Sequence, residues 1–440
     1  MKSHSLAIAL GVLIILGGVL YWSNKHPQNE QASKISADTP PAILKLDQAA
    51  ITSVQIKKKD TEALALTRAA SSGEWQITQP QPLRADQPAV LGMLSAISSL
   101  NSQRVVEDKA TNLKTFGLDN PALEVVLVEK DNKSQKLLLG DETLASNGVY
   151  AMLAGEPRVF TIASWEKSTI DKGLNDLRDK RLLPVLPDKI SRIEIIRGGQ
   201  SVEFGRNKDE WQILKPKPLR ADSTQVADLL RQLTDAKMDV SGSAANNTAS
   251  DFAKAGPLAT AKITDESGTQ ELQVRKSKDT YYAKSSAVDG AYKVDSEIGK
   301  ALDKSVNDFR NKKLFDFGYS DPNKIEIHDG AKAYFLTRGS AGSEDWWSNG
   351  KKMDASSVES LISALRELAA TKFLDSGFSN AAVEAVVTSG DGKRIEKVQI
   401  AKSGDHYIAK RENEPALYQL DSKSVEDLLK AAAEMKPAGK

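Results

Sequence analysis

Arg84 and Arg220 each stand two residues before an aspartate, Asp86 and Asp222, and each aspartate precedes a run of helical periodicity. A guanidinium beside a helix start can hold a carboxylate or phosphate through two parallel hydrogen bonds, with the first-turn N–H groups in support. The same side chain can instead pair with the neighbouring aspartate or with the next segment of the chain. An Arg that recurs without convergent polar partners suits packing better than ligand capture. The second pair with chemical potential is Trp346-Trp347. Adjacent residues on a strand face opposite ways, so one indole can enter a core. The other must find a second surface, either a helix of its own module or a protein partner, for which exposed Trp is a common anchor.

Little else in the chain offers chemistry. Cysteine is absent, which removes thiol nucleophiles, disulfides, iron-sulfur clusters and cysteine zinc sites together. His4 and His26 flank an apolar run, and His328 and His406 fall in different hairpins of one copy of a repeat. Two histidines are short of the three protein ligands that zinc needs. Phosphate-loop, His-Glu-x-x-His and Gly-x-Ser-x-Gly patterns are missing. The carboxylates are mostly interspersed with Lys, as on solvated surfaces. The basic stretches Arg178, Lys180, Arg181 and Arg310, Lys312, Lys313 are accounted for by helix ends and packing. No cofactor, no metal and no enzymatic reaction is expected. A net charge of +1 argues against nucleic acid as a partner.

The elements that would carry these residues are repeated. Trp75 to Asp86, WQITQPQPLRAD, returns as WQILKPKPLRAD from Trp211 to Asp222, with differences at three of twelve positions. Trp75 and Ile77, like Trp211 and Ile213, share one face of a strand. Pro80 and Pro82, like Pro216 and Pro218, cannot donate to a ladder, which predicts an extended exit toward a helix. Asp86 and Asp222 then serve as N-caps for the runs Val90, Leu91, Leu94, Ile97 and Val226, Leu229, Leu230, Leu233. A third copy keeps Trp346-Trp347, Asp354 and the run Val358, Leu361, Ile362, Leu365, and loses the Pro and the Arg.

Each copy opens with a strand pair and, after its capped helix, shows a hairpin, a Tyr-bearing strand, an answering strand and a closing helix. The closing helices would be capped by Ser164, Asp295 and Asp421. The polar tract Ser241 to Ser250 reads as a loop. The expected fold class is therefore α+β, with a single N-terminal transmembrane helix followed by three tandem modules, each a mainly antiparallel sheet with two helices. The expected boundaries give modules at 43–183, 184–315 and 316–440.

Leu6 to Trp22 is an uncharged apolar run, roughly 26 Å long as a helix and enough for a bilayer core. No small-x-small cleavage site follows it, so residues 1–22 are expected to be an uncleaved anchor with its interfacial aromatics at Tyr21 and Trp22. Ala7, Gly11 and Gly18 share one face of that helix, where another membrane helix could pack closely. Residues 23–42, with Pro40 and Pro41, read as a tether. The bulk of the chain is expected on the periplasmic side of an inner membrane.

The Trp…Pro…Arg-Ala-Asp tract, the Gly117-Leu-Asp-Asn-Pro121 turn, the Tyr150-Ala151 strand and the Leu177-Arg-Asp-Lys-Arg-Leu-Leu183 tail together resemble the bacterial family of domain of unknown function 4340. The likeness is fullest over 43–183 and weaker through the later copies. It implies an N-terminal membrane helix and an envelope accessory role, often beside ABC-type transporters of the gliding-motility kind, and it brings no catalytic residue. The expectation is a membrane-anchored scaffold that binds a protein, an ABC-type permease or ATPase complex being the implied partner. The alternative is a periplasmic protein that captures glycan or lipid between modules.

Overall fold

A computed structural model describes residues 43–440, apart from 45, 145–146, 209, 242–247, 319–321, 340–344, 391, 413 and 440. The expected anchor and tether, with Ala7, Gly11 and Gly18, lie outside the described residues. Among the described residues no helix is long and apolar enough to cross a membrane.

The strands of the described residues form three antiparallel sheets of nine, eight and nine strands. In the first, the strand Ile51–Lys58 pairs with Leu64–Arg68 on one side and Leu123–Glu129 on the other. Its alternation buries Val54 and Ile56, and Leu66, Ile77, Val125 and Leu127 continue the same face from neighbouring strands. The helix Gln87–Ser98 closes that face with Val90, Met93, Leu94 and Ile97, a stripe at helical spacing. Each such side chain, fully buried, contributes about 1.5–3 kcal/mol. The second and third sheets repeat the plan around Arg192–Arg197 and Lys324–Asp329. Their covering helices are Ser223–Asp235 and Ala355–Glu367.

The helix starts follow the aspartates. The Asp86 carboxylate accepts from the Ala89 N–H at 3.0 Å, Asp222 from Thr224 and Gln225, and Asp354 from Ser357 at 3.0 Å. Asp295 and Asp421 cap the later helices in the same way. Ser164 does not cap. It is the first residue of the helix Ser164–Ile170, and the Glu166 carboxylate reaches back to the Ala163 N–H at 2.8 Å. This is the Glu half of a capping box: the N3 carboxylate takes the N-cap N–H, and Ala163 has no side-chain oxygen to take the N3 N–H in return.

The proline segments do not run straight into the helices. Leu83–Arg84 folds back to pair with Ile77 and Gln76, and Leu219–Arg220 with Ile213 and Gln212, so each proline segment is the turn of a hairpin. Residues without an N–H can occupy a turn where they cannot extend a ladder. In the third copy the turn is Asn349-Gly350, with φ of 49° and 74°, between Trp346–Ser348 and Lys351–Lys352. Positive φ at both central residues matches the twist of a two-residue hairpin, which explains how the prolines could be dispensed with.

Each return strand then takes a second partner. Ala85 bridges Arg178, Ala221 bridges Arg310, and Met353 bridges Pro437. The following aspartate N–H groups of Asp86, Asp222 and Asp354 bond Leu177, Phe309 and Lys436 carbonyls. The repeated Asn-Asp-Leu/Phe-Arg tails are thus strand segments as much as helix ends. Further along, Lys313 bridges Ala369, so the tail 309–314 is paired to the second module on one side and the third on the other.

The chain divides into two compact units, one through Asp179 and one from Lys180 to Lys440. The second holds two of the sheets. Leu182 and Leu183 are fully buried in the core of the second sheet, and Leu314 and Phe315 in the core of the third. Two elements carry no signal in the sequence reading. Short strands at Arg104–Glu107 and Lys372–Leu374 extend the far edges of the first and third sheets. The polar tract ends in a helix, Thr248–Lys254, whose Phe252 is buried. In the first unit Gly117, at φ 66°, ends a turn of helix, Leu113–Phe116, that covers part of the sheet's outer face with Phe116, Leu118, Met152 and Val159.

Candidate functional site

Arg220 is held by the third module. From the strand Leu219–Arg220 its guanidinium donates to the Asp316 carboxylate, to the Lys313 carbonyl at 2.6 Å and to the Tyr418 hydroxyl at 3.1 Å, while Nε lies 2.9 Å from Glu414. Asp316 also accepts from the Asn311 amide at 2.7 Å, and its own N–H donates to Glu396 at 3.0 Å. Arg411, 9% exposed, reaches Glu396 at 3.0 Å and Glu414 at 2.8 Å. Arg394 completes the set at 3.5 Å from Asp316 and 3.6 Å from Glu396. Three guanidiniums therefore face three carboxylates.

Burial alone would lower the Arg220 pKa, but Asp316, Tyr418 and Glu414 outweigh it and the net shift is upward. Burial pushes the Tyr418 phenol above its usual range, with Arg220 opposing and Glu414 assisting. A balanced, mutually bonded cluster of this kind fixes geometry. Its charges are spent on one another and desolvated together. Arg84, in the first unit, is more exposed and lies 3.6 Å from Asp179. In the third copy the position is Lys352, which pairs with Asp345 at 2.9 Å.

Two cavities flank Arg220. One of about 290 Å³ is lined by Trp211, Gln212, Asn311, Asp316 and Arg394. The other, of about 430 Å³, lies toward Pro218, Leu219, Pro415 and Ala416.

Trp346 and Trp347 part company. Trp346 is 5% exposed and belongs to the third core, so it is no surface anchor; Trp347 is 43% exposed on the sheet's outer face. Register sets Trp347 opposite Thr337, and the row continues through Lys324 and Thr388 to Ile395, itself 67% exposed. Phe335, two residues from Thr337 on the same face, is 41% exposed and meets His328 edge-on at 5.5 Å. Nearby charges pair within the face, Lys324 with Glu326 and Lys397 with Glu384. The same register positions hold Gln76, Ala65 and Ser134 in the first sheet and Gln212, Glu203 and Thr269 in the second. Only the third sheet places Trp, Phe and Ile there.

His406 lies 3.1 Å from Asp405 and far in sequence from His328. Among the described residues no group of three or more His, Asp or Glu is placed to hold a metal. The sequence reading missed Asp316, Arg394, Glu396, Arg411 and Glu414, which come from separate strands and follow no motif. Phe335 and Ile395 carried a usable signal, since comparison of the copies shows apolar residues where the other two have polar or small ones.

No curated protein and no solved structure matches the chain. The model of the family described as Domain of unknown function (DUF4340) matches residues 75–239 and again 211–387. Those matches overlap across the repeated Trp…Arg-Ala-Asp tract and together span most of the chain, which therefore belongs to the DUF4340 family.

Proposed function

We propose that the protein is a membrane-anchored accessory scaffold of the bacterial envelope that binds another protein through the outer face of its third sheet. The observation that carries this reading is the aromatic and aliphatic set Trp347, Phe335 and Ile395, exposed at positions that are polar or small in the other two copies. Exposed aromatics beside charges that pair within the same face are suited to anchoring a partner. The cores of the second and third modules are built from their own apolar side chains, and the charged cluster at Arg220 joins those two modules. The anchor at residues 1–22 would hold the modules on the periplasmic side of the inner membrane. The partner class, an ABC-type permease or ATPase complex, comes from the family resemblance.

The test is a mild-detergent pull-down of the full-length chain beside a Trp347→Ala, Phe335→Ala double variant. Loss of a hot-spot Trp costs about 2 kcal/mol or more, roughly thirtyfold in affinity. The scaffold reading expects a membrane transport protein recovered by the wild type and lost from the variant. Equal recovery from both would remove the third sheet's face from the reading.

A further inference from the structure

We propose that the larger cavity beside Arg220, about 430 Å³, binds a small amphiphilic anion, its apolar body on Pro218, Leu219, Pro415 and Ala416 and its acid group at Lys217. This inference does not rest on the scaffold reading, since it concerns the cleft between the second and third modules and not the outer face of a sheet.

Both walls are set by the fold. On one side the proline turn leads into Leu219–Arg220, and Leu219 packs against the third module's core. On the other, Glu414 to Ala416 leads into the strand Leu417–Leu420. Pro218 and Pro415 lack N–H groups, so this floor offers an apolar ligand contact without donors that would need satisfying. The volume lies within the range of small-molecule sites.

The polar groups around the cavity divide into spent and free. Arg220 is occupied by Asp316, Lys313, Tyr418 and Glu414, and Glu414 by Arg220, Arg411 and Tyr418. Their charges cancel within the cluster. What remains is the ammonium of Lys217, exposed and without an ion pair among the described residues, and the carboxamide of Gln212. A lone cation beside an apolar floor selects one negative charge attached to an apolar body. A bare phosphate would forgo the floor, and a neutral amphiphile would forgo Lys217.

The experiment titrates para-trifluoromethylbenzoate into the full chain held in phosphatidylcholine nanodiscs and follows the ligand by fluorine NMR. Empty nanodiscs are subtracted. The neutral alcohol of the same body and inorganic phosphate are run in parallel. Saturable binding by the wild type is expected, with about tenfold weakening in Lys217→Ala, retention in Lys217→Arg, and no competition by phosphate. Lys217 is exposed, so these variants keep the fold. Absence of saturable binding to the wild type, or equal binding to Lys217→Ala, would overturn the proposal. Binding abolished by the Trp347 and Phe335 variant, with Lys217→Ala unaffected, would place the ligand on the outer face instead.

Discussion

The Arg220 guanidinium donates to the Tyr418 hydroxyl at 3.1 Å across 198 residues of sequence. The Tyr418 hydroxyl in turn donates a hydrogen bond to Glu414 at 2.6 Å, so one hydrogen-bonded chain runs from the return strand of the second module into the last strand of the third. That chain links the two sheets of the second unit.

Removing Arg220 leaves the buried and half-buried carboxylates of Asp316, Glu396 and Glu414 facing only Arg394 and Arg411, one negative charge in excess. Arg220→Ala should destabilise the second unit by about 3–5 kcal/mol, the cost of breaking a buried pair from one side. Arg220→Lys should recover little, because an ammonium cannot serve four acceptors in fork geometry. Arg84→Ala, whose half-exposed guanidinium lies at 3.6 Å from a buried Asp179, should cost less, about 1–2 kcal/mol. Urea unfolding of the three variants reads these differences, and equal effects at 84 and 220 would refute the distinction.

The raised Tyr418 pKa has a direction in pH. A group whose folded pKa lies above its unfolded value contributes stability in full below the unfolded pKa, about 10 for Tyr, and loses it as pH rises through the folded pKa. Thermal melts of the wild type should therefore fall more steeply above about pH 10 than those of Tyr418→Phe. Parallel curves would show that the phenol is not the responsible group.

The two tryptophans should separate cleanly in stability. Trp346→Ala opens the third core and should cost about 3–5 kcal/mol. Trp347→Ala, on the open face, should stay within about 0.5 kcal/mol. Denaturant midpoints of the single variants decide it, and a destabilised Trp347→Ala would mean that the face is packed.

Gly140 allows close approach of two backbones. A Cβ there would sit 2.1 Å from the Phe116 carbonyl oxygen, against backbone that cannot swing aside. Gly140→Ala should cost about 1–3 kcal/mol and loosen the Leu113–Phe116 turn, seen as faster amide exchange there. Unchanged exchange would show that the segment moves freely.

The sequence by itself determined the repeat, its α+β alternation and the aspartate caps. Each depends on hydrogen bonds or side-chain spacing within a few residues, so the local string contains the whole cause. It also named Arg84, Arg220 and the Trp pair as the residues to weigh. Tertiary structure alone decided what they do. Which indole faces outward depends on the register of Trp346–Ser348 against Lys332–Arg338. Arg220 finds Asp316, Glu414 and Tyr418 only because the tail 309–314 pairs with both modules and brings their strands to one place. Charges from segments far apart in sequence converge through strand pairing, and no spacing along the chain records that convergence.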